Sequence, residues 1–114
     1  MKKPTVVSWW KMDAPEGSFA LGAWWGGFFE KGMRWQDYLD EIDPRAHPYL
    51  EAARQSAVEN NIRASGEKHQ WDGITPVFSD GRYFEMGYSV WGDFMAAVWS
   101  EEEDTDYSYM NFRV

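Results

Sequence analysis

Three side chains in the second half of the chain have the types and spacing needed for proton transfer. Glu67 and His69 lie two residues apart in the segment 62–70, IRASGEKHQ, which is predicted to be a strand with a bend at its glycine. Alternate residues of a strand point to the same face, so this carboxylate and imidazole would be neighbours. A histidine beside a carboxylate is a common pair for general acid–base catalysis. The spacing therefore gives, as the alternative to a binding module, a small enzyme that uses His69 with Glu67 or Asp72, with Tyr88 as a further member of the set.

The same histidine has a simpler interpretation as a strand residue that is hydrogen-bonded to its neighbours. The other histidine, His47, precedes Pro48 and is predicted to be the N-cap of a helix. No serine stands in a nucleophile-elbow pattern, and no phosphate-binding or dinucleotide-binding glycine pattern follows a predicted strand. The acidic run 101–106, EEEDTD, lacks the spacing of a calcium loop, so no metal site and no cofactor are predicted.

Paired aromatic residues favour binding over catalysis. The pairs Trp24-Trp25 and Phe28-Phe29 lie four residues apart with glycines between them, so in a helix their rings would stack on a shared face. The glycines would leave room for a ligand or a neighbouring backbone. Aromatic faces and carboxylates both attract cations. These four rings predict a non-catalytic binding module for a small apolar or cationic ligand, or for a protein partner.

The number of aromatic residues also bears on assembly. The chain has eight Trp, six Tyr and seven Phe residues, which bring more apolar surface than a core of this size absorbs. A symmetric dimer is the commonest way to bury such a surplus, so a homodimer is predicted. A monomer would instead direct the surplus to a ligand pocket.

The net charge of −8 is concentrated in the second half of the chain. Residues 1–57 carry seven basic and eight acidic side chains (−1), whereas residues 58–114 carry four basic and eleven acidic ones (−7). This field repels phosphate backbones, so no direct nucleic-acid binding is expected. The negative charge has two other interpretations: it keeps the protein soluble, or it attracts a basic protein partner. The carboxylates of Glu101–Glu103 oppose a helix dipole, which predicts a nearby arginine or a cationic partner.

The composition also constrains compartment and domain count. The chain has no cysteine, which is typical of a reducing cytoplasm. Residues 1–10 lack the apolar core of a signal peptide, and no apolar run reaches the roughly 18 residues of a membrane span. A cytoplasmic protein with one domain, 1–114, is expected.

The elements that must position these residues follow from local patterns. In chain order we predict a strand at 5–12, helices at 18–32 and 34–42, a helix from His47 to Asn60-Asn61, strands at 62–70, 75–79 and 82–89, a helix capped by Ser89, and a strand at 106–112. Asp80-Gly81 is a hairpin signal. Trp9 and Trp10 are adjacent in a strand, so one of them should face away from the core.

The segment 83–99 joins a strand to the most strongly patterned helix. The helix is predicted to pack on the sheet through Trp91, Phe94, Met95, Val98 and Trp99 against Val77, Phe84, Met86 and Tyr109. The element order predicts an α+β fold, with an antiparallel sheet of four to five strands and helices packed on one face.

Three stretches resemble small bacterial proteins of unknown function that are carried on mobile elements, including integron gene cassettes. They are GEKHQ at 66–70, PVFSDG at 76–81 and SVWGDFMAAVW at 89–99, all in the second half of the chain. The resemblance implies a bacterial, cytoplasmic, compact α+β accessory protein. It implies no catalytic residues.

Overall fold

The computed structural model describes residues 3–10, 14–22, 34–62, 75–85 and 88–104, with backbone only for 88–93. The described elements are β1 (Val6–Trp10), β2 (Phe19–Ala20), α1 (Trp35–Asp40), a 3₁₀ turn (Pro44–Ala46), α2 (His47–Glu59), β3 (Thr75–Phe78), β4 (Arg82–Tyr83) and α3 (Tyr88–Glu103). The strands form one sheet, and the helices lie beside it, so the predicted α+β class is confirmed.

The four described strands form a mixed sheet in the order β1-β3-β4-β2. β3 pairs antiparallel with both β1 and β4, whereas β2 runs parallel to β4. The strand count matches the prediction, but the sheet is not wholly antiparallel. β2 lies beside β4 although α1, α2 and β3 come between them in the chain, so this parallel pairing is not part of the meander that local signals predict.

The predicted helix at 18–32 is wrong at its start. The N–H of Phe19 donates to the carbonyl of Gly81 at 3.0 Å, and the N–H of Leu21 donates to the carbonyl of Tyr83 at 2.8 Å. Gly17 and Gly22 flank this short strand with φ of 90° and 87°. A helix needs φ near −63°, so Gly22 interrupts the predicted helix and Gly17 breaks the chain just before it. Residues 23–32 lie outside the described part.

The hairpin predicted at Asp80-Gly81 is confirmed. Gly81 has a φ of 88°, a backbone conformation that residues other than glycine rarely adopt. Its N–H donates to the carbonyl of Phe78 at 2.9 Å. The Asp80 carboxylate accepts the backbone N–H of Arg82 at 3.0 Å. The turn therefore fixes the register of β3 and β4, although β4 is much shorter than the predicted strand at 82–89.

α1 and α2 form where periodicity and end signals predict them. α2 ends at Glu59, Asn61 follows with a φ of 52°, and the N–H of Ile62 donates back to the carbonyl of Ala57 at 2.8 Å. His47 is the first helical residue and not the N-cap. Its Nε2 lies 2.8 Å from the carbonyl of Leu39 and 3.0 Å from that of Ile42. Carbonyls only accept, so this nitrogen donates and closes the end of α1.

The core lies between the sheet and the helices on one of its faces. Phe78 contacts Tyr49 of α2 with ring centroids 5.0 Å apart, and Phe84 contacts Phe94 of α3 at 6.2 Å. α1 joins through Trp35, whose ring lies 5.8 Å from that of Phe94. The described helices thus share one face of the sheet, as predicted.

Most of the predicted core around α3 is confirmed. Phe94, Met95, Val98, Trp99 and Phe84 are buried in one cluster. Val77 is buried too, but it is not part of that cluster, because alternation along β3 directs its side chain away from the face that carries Phe78. The side chains of Trp91, Met86 and Tyr109 lie outside the described part. α3 begins at Tyr88, so Ser89 lies inside its first turn and is not the N-cap.

The two adjacent tryptophans of β1 face opposite sides of the sheet, as predicted. Trp9 packs against the core, and its Nε1 donates to the hydroxyl of Ser56 on α2 at 2.8 Å. Trp10 points away from the helices and is 42% exposed. No helix in the described ranges has the length and apolar composition that a bilayer span requires.

Candidate functional site

The residues singled out from sequence fall on two segments that the structure does not describe. Glu67, His69 and Asp72 belong to 63–74, and the aromatic pairs Trp24-Trp25 and Phe28-Phe29 belong to 23–33. Both the acid–base set and the aromatic ligand site therefore stay predictions. The structure does describe three other features with chemical potential: a Tyr–Asp–Arg network, an Arg–Trp–Glu cluster and a groove along α2.

The Tyr–Asp–Arg network joins α2 to the hairpin turn. The hydroxyl of Tyr49 donates to Asp80 Oδ2 at 2.5 Å and accepts from Arg82 Nη1 at 2.8 Å. Arg82 Nε lies 3.6 Å from the same carboxylate. Burial raises the pKa of Tyr49, and the hydrogen bond to Asp80 adds to that increase. A tyrosine held in its neutral form is a poor general base at neutral pH.

Aromatic rings in this network already hold a cation from the same chain. The guanidinium of Arg82 lies 5.7 Å from the ring centroid of Phe19 and 5.4 Å from that of Tyr49. Phe19 is 50% exposed, so the ring that contacts Arg82 is accessible to solvent. Since the positive charge is also paired with Asp80, the network is internally satisfied and serves to tie α2 to the sheet.

A second arginine holds the acidic end of α3. Arg54 forms an ion pair with Glu102, and its guanidinium lies 5.6 Å from the ring centroid of Trp35. Arg34 pairs with Asp104 at 2.8 Å. The predicted arginine near the acidic helix end is therefore present. These pairs offset the unfavourable interaction of the carboxylates with the helix dipole.

The third feature is a groove of about 980 Å³ that runs beside α2 and the segment before β1. Its lining includes residues from both ends of α2, together with residues 3–6. Half-buried Pro4, Val6, Ala52 and Val58 supply apolar surface, and exposed Glu51, Gln55 and Glu59 lie around them. Cavities of this size are in the range that ligands occupy.

The charges of the groove are unbalanced toward negative. Arg54 is paired with Glu102, which leaves Lys3 against the carboxylates of Glu51 and Glu59. Among the described residues, both carboxylates accept hydrogen bonds from neutral donors: Glu51 from the Nε1–H of Trp35 at 3.0 Å, and Glu59 from the Gln55 amide at 3.0 Å. In a chain of net charge −8, this lining favours cations over anions.

This groove was not predicted from the sequence. Glu51, Gln55 and Glu59 recur at every fourth position, which places them in a row on one face of α2. Such a polar row is the ordinary pattern of a solvent-facing helix surface. Its meaning depends on the segment 3–6 lying beside it, and the sequence carries no signal for that neighbour.

Metal chemistry has no cluster of ligands in the described ranges. No set of three His, Asp or Glu side chains there is close enough to hold a metal ion. The histidine of this part, His47, uses Nε2 for the end of α1. What the described surface offers is a groove with apolar and acidic lining.

Comparison of the chain with protein-family models, curated proteins and solved structures finds no match. The resemblance of 66–70, 76–81 and 89–99 to mobile-element proteins stays a prediction.

Proposed function

We propose that this protein is a non-catalytic binding module whose groove along α2 receives an extended, cationic segment of a protein partner. The observation that carries the proposal is the combination of half-buried apolar residues with carboxylates that outnumber the cations along one face of α2. It extends the sequence-based expectation of a basic protein partner to a defined surface.

The dimensions of the groove suit a chain segment better than a compact molecule. α2 has 13 residues, which at about 1.5 Å per residue make a helix about 20 Å long. A strand of about six residues spans the same length at about 3.3 Å per residue. Its side chains would alternate between the apolar surface of Val6 and Ala52 and the carboxylates of Glu51 and Glu59.

The other functions expected from sequence rest on segments outside the described ranges. A small apolar or cationic ligand at Trp24, Trp25, Phe28 and Phe29 is the second form of the binding hypothesis, and an enzyme using His69 with Glu67 or Asp72 is the alternative class. The absence of cysteine supports a cytoplasmic location, and the three resembling stretches support a bacterial accessory role.

Fluorescence anisotropy with defined peptides tests the proposal. A labelled six-residue peptide of alternating lysine and valine should bind, whereas the peptide of alternating glutamate and valine should not. Affinity should fall as salt is raised, because exposed charges are screened. Absence of binding by the lysine peptide at low salt would overturn the proposal.

A matched pair of charge reversals separates the groove from the general field of the molecule. Glu59→Lys lies in the groove, and Glu16→Lys lies in the exposed turn before β2, and each changes the net charge by the same amount. Glu59→Lys should weaken binding about threefold or more, the scale of a surface charge pair, while Glu16→Lys should have a smaller effect. Equal losses would indicate attraction to net charge alone.

A thermal-shift screen distinguishes the small-ligand form. A ligand at about 100 times its Kd stabilises a protein by about 2.7 kcal/mol. A stabilising organic cation whose effect survives Glu59→Lys would place binding elsewhere than in the α2 groove.

A further inference from the structure

We propose that the α2 groove recognises an extended segment with two cationic side chains four residues apart and a neutral side chain midway between them. This inference rests on the proposed function, because it assigns a charge spacing to the partner of the same groove. The spacing is what distinguishes one basic segment from another.

The row of Glu51, Gln55 and Glu59 sets this pattern. All three side chains are exposed and line the groove, and they recur at every fourth position of α2. A row of every fourth helical residue is inclined by about 26° to the helix axis, and each step advances about 6 Å along that axis. Measured along the row, neighbours are therefore about 6.7 Å apart and the two glutamates are about 13 Å apart.

An extended chain has nearly the same repeat. Alternate residues of a strand point to the same side, and at about 3.3–3.4 Å per residue they are about 6.7 Å apart. Every second side chain of an extended partner therefore meets the next member of the row without a drift in register. Partner residues i, i+2 and i+4 face Glu51, Gln55 and Glu59, in one direction or the other along the helix.

The two ends of the row favour cations. Glu51 accepts from the Nε1–H of Trp35 and Glu59 accepts from the Gln55 amide, each at 3.0 Å. Because these donors are neutral, each carboxylate is held in place while it keeps its negative charge. No ion pair within the described ranges includes either of the two carboxylates. A cation opposite each one therefore gains the attraction of a surface ion pair.

The middle of the row gives no such advantage to a charge. Gln55 is uncharged, and its amide already donates to Glu59. A third cation opposite Gln55 has no carboxylate of its own in the row and lies between two like charges, which repel it. A neutral side chain therefore suits position i+2 of the partner.

The row is limited to these three residues. One step toward the N-terminus lies His47, whose Nε2 donates to two carbonyls at the end of α1, and α2 ends at Glu59. The intervening side chains of the partner, i+1 and i+3, point the other way, toward the apolar surface of Val6 and Ala52. The recognised pattern is thus cation, apolar, neutral, apolar, cation.

Fluorescence anisotropy with labelled peptides of identical composition tests the spacing. Each peptide has five residues and capped ends, with valine at positions two and four, and its other positions hold two diaminobutyrates and one serine. Diaminobutyrate carries its amine on Cγ, so it reaches less far than lysine and reports the spacing more sharply. The peptide with amines at positions one and five should bind the native chain about threefold or more tightly than the peptide with amines at positions one and three.

Neutral variants show which carboxylates read the spacing. Glu51→Gln and Glu59→Gln keep an oxygen that accepts the same hydrogen bond, and they remove only the charge. One carboxylate of the row then remains, so the two peptides should bind each variant with about equal affinity. Glu16→Gln, in the exposed turn before β2, changes the net charge equally and should keep the preference. Circular dichroism shows that the variants are folded.

Gln55→Glu supplies the converse test. It adds a carboxylate at the middle of the row, so the peptide with amines at positions one and three should bind this variant about threefold more tightly than it binds the native chain. Equal affinities of the two peptides for the native chain, a preference that survives Glu59→Gln, or binding of neither peptide would overturn the inference. The groove proposal itself fails only if the alternating lysine–valine peptide does not bind either.

Discussion

The hydroxyl of Tyr49 on α2 donates a hydrogen bond to the carboxylate of Asp80 in the hairpin turn, with 2.5 Å between the two oxygens. The two residues are 31 positions apart. The same hydroxyl accepts from Arg82, so one phenol links a helix to both sides of a tight turn. This contact holds α2 against the sheet at the place where the chain reverses.

Tyr49→Phe should lower the free energy of unfolding by about 1–2 kcal/mol, because it removes a hydrogen bond to a charged group. We place the loss below the upper range for such bonds because the Asp80 side chain is 39% exposed. Urea unfolding of Tyr49→Phe, Asp80→Asn and the double variant gives the coupling energy, which should be roughly 1 kcal/mol. Additive losses would show that the two side chains do not act together.

The same tyrosine should make stability sensitive to alkali. Burial, followed by the hydrogen bond to Asp80, raises the pKa of Tyr49 above its ordinary value of 10.0. The folded state therefore favours the neutral phenol, and this contribution is complete below pH 10 and is lost as the pH rises from 10 through the raised pKa. The stability advantage of the native chain over Tyr49→Phe should shrink above pH 10 in urea titrations. A constant difference would contradict the assignment.

Trp99→Ala should cost about 3–5 kcal/mol of unfolding free energy. Its side chain is 4% exposed, and its Nε1–H donates to the carbonyl of Ile62 at 2.9 Å, so the substitution leaves both a cavity and an unpaired carbonyl. Trp10→Ala is the matched control, because the same ring is removed from a surface position, and it should cost about 0.5 kcal/mol or less. Thermal unfolding at low micromolar concentration avoids any contribution from dimerisation, and equal losses for the two variants would be incompatible with this core.

Adjacent carboxylates at the end of α3 should respond to the same substitution with opposite signs. Glu102→Gln removes the ion pair with Arg54, which is partly shielded from water, and should cost up to about 1 kcal/mol. Glu101 is exposed, and no ion pair within the described ranges includes it, so Glu101→Gln should raise stability by about 0.3 kcal/mol by relieving the helix dipole. Urea unfolding at low salt measures both changes. Equal effects would mean that Arg54 does not discriminate between them.

Elements that depend on a few consecutive residues were determined by the sequence itself. The Asp80-Gly81 turn forms because glycine tolerates a φ of 88°. α2 begins at His47 and ends at Glu59, because Pro48 suits its first turn and Asn61 tolerates the positive φ that follows it. The apolar stripe that ends at Trp99 buries its described members because helical spacing places them on one face.

Pairings and contacts between distant residues were decided only by the tertiary structure. β2 has two residues and depends on hydrogen bonds to Gly81 and Tyr83, so no local pattern marks it as a strand parallel to β4. His47 was expected at a helix cap, yet its ring closes the preceding helix because the 3₁₀ turn brings the two ends together. The α2 groove exists because residues 3–6 pass beside a polar helix face. Local propensity acts over a few residues, whereas these contacts depend on which chain segments the core brings together.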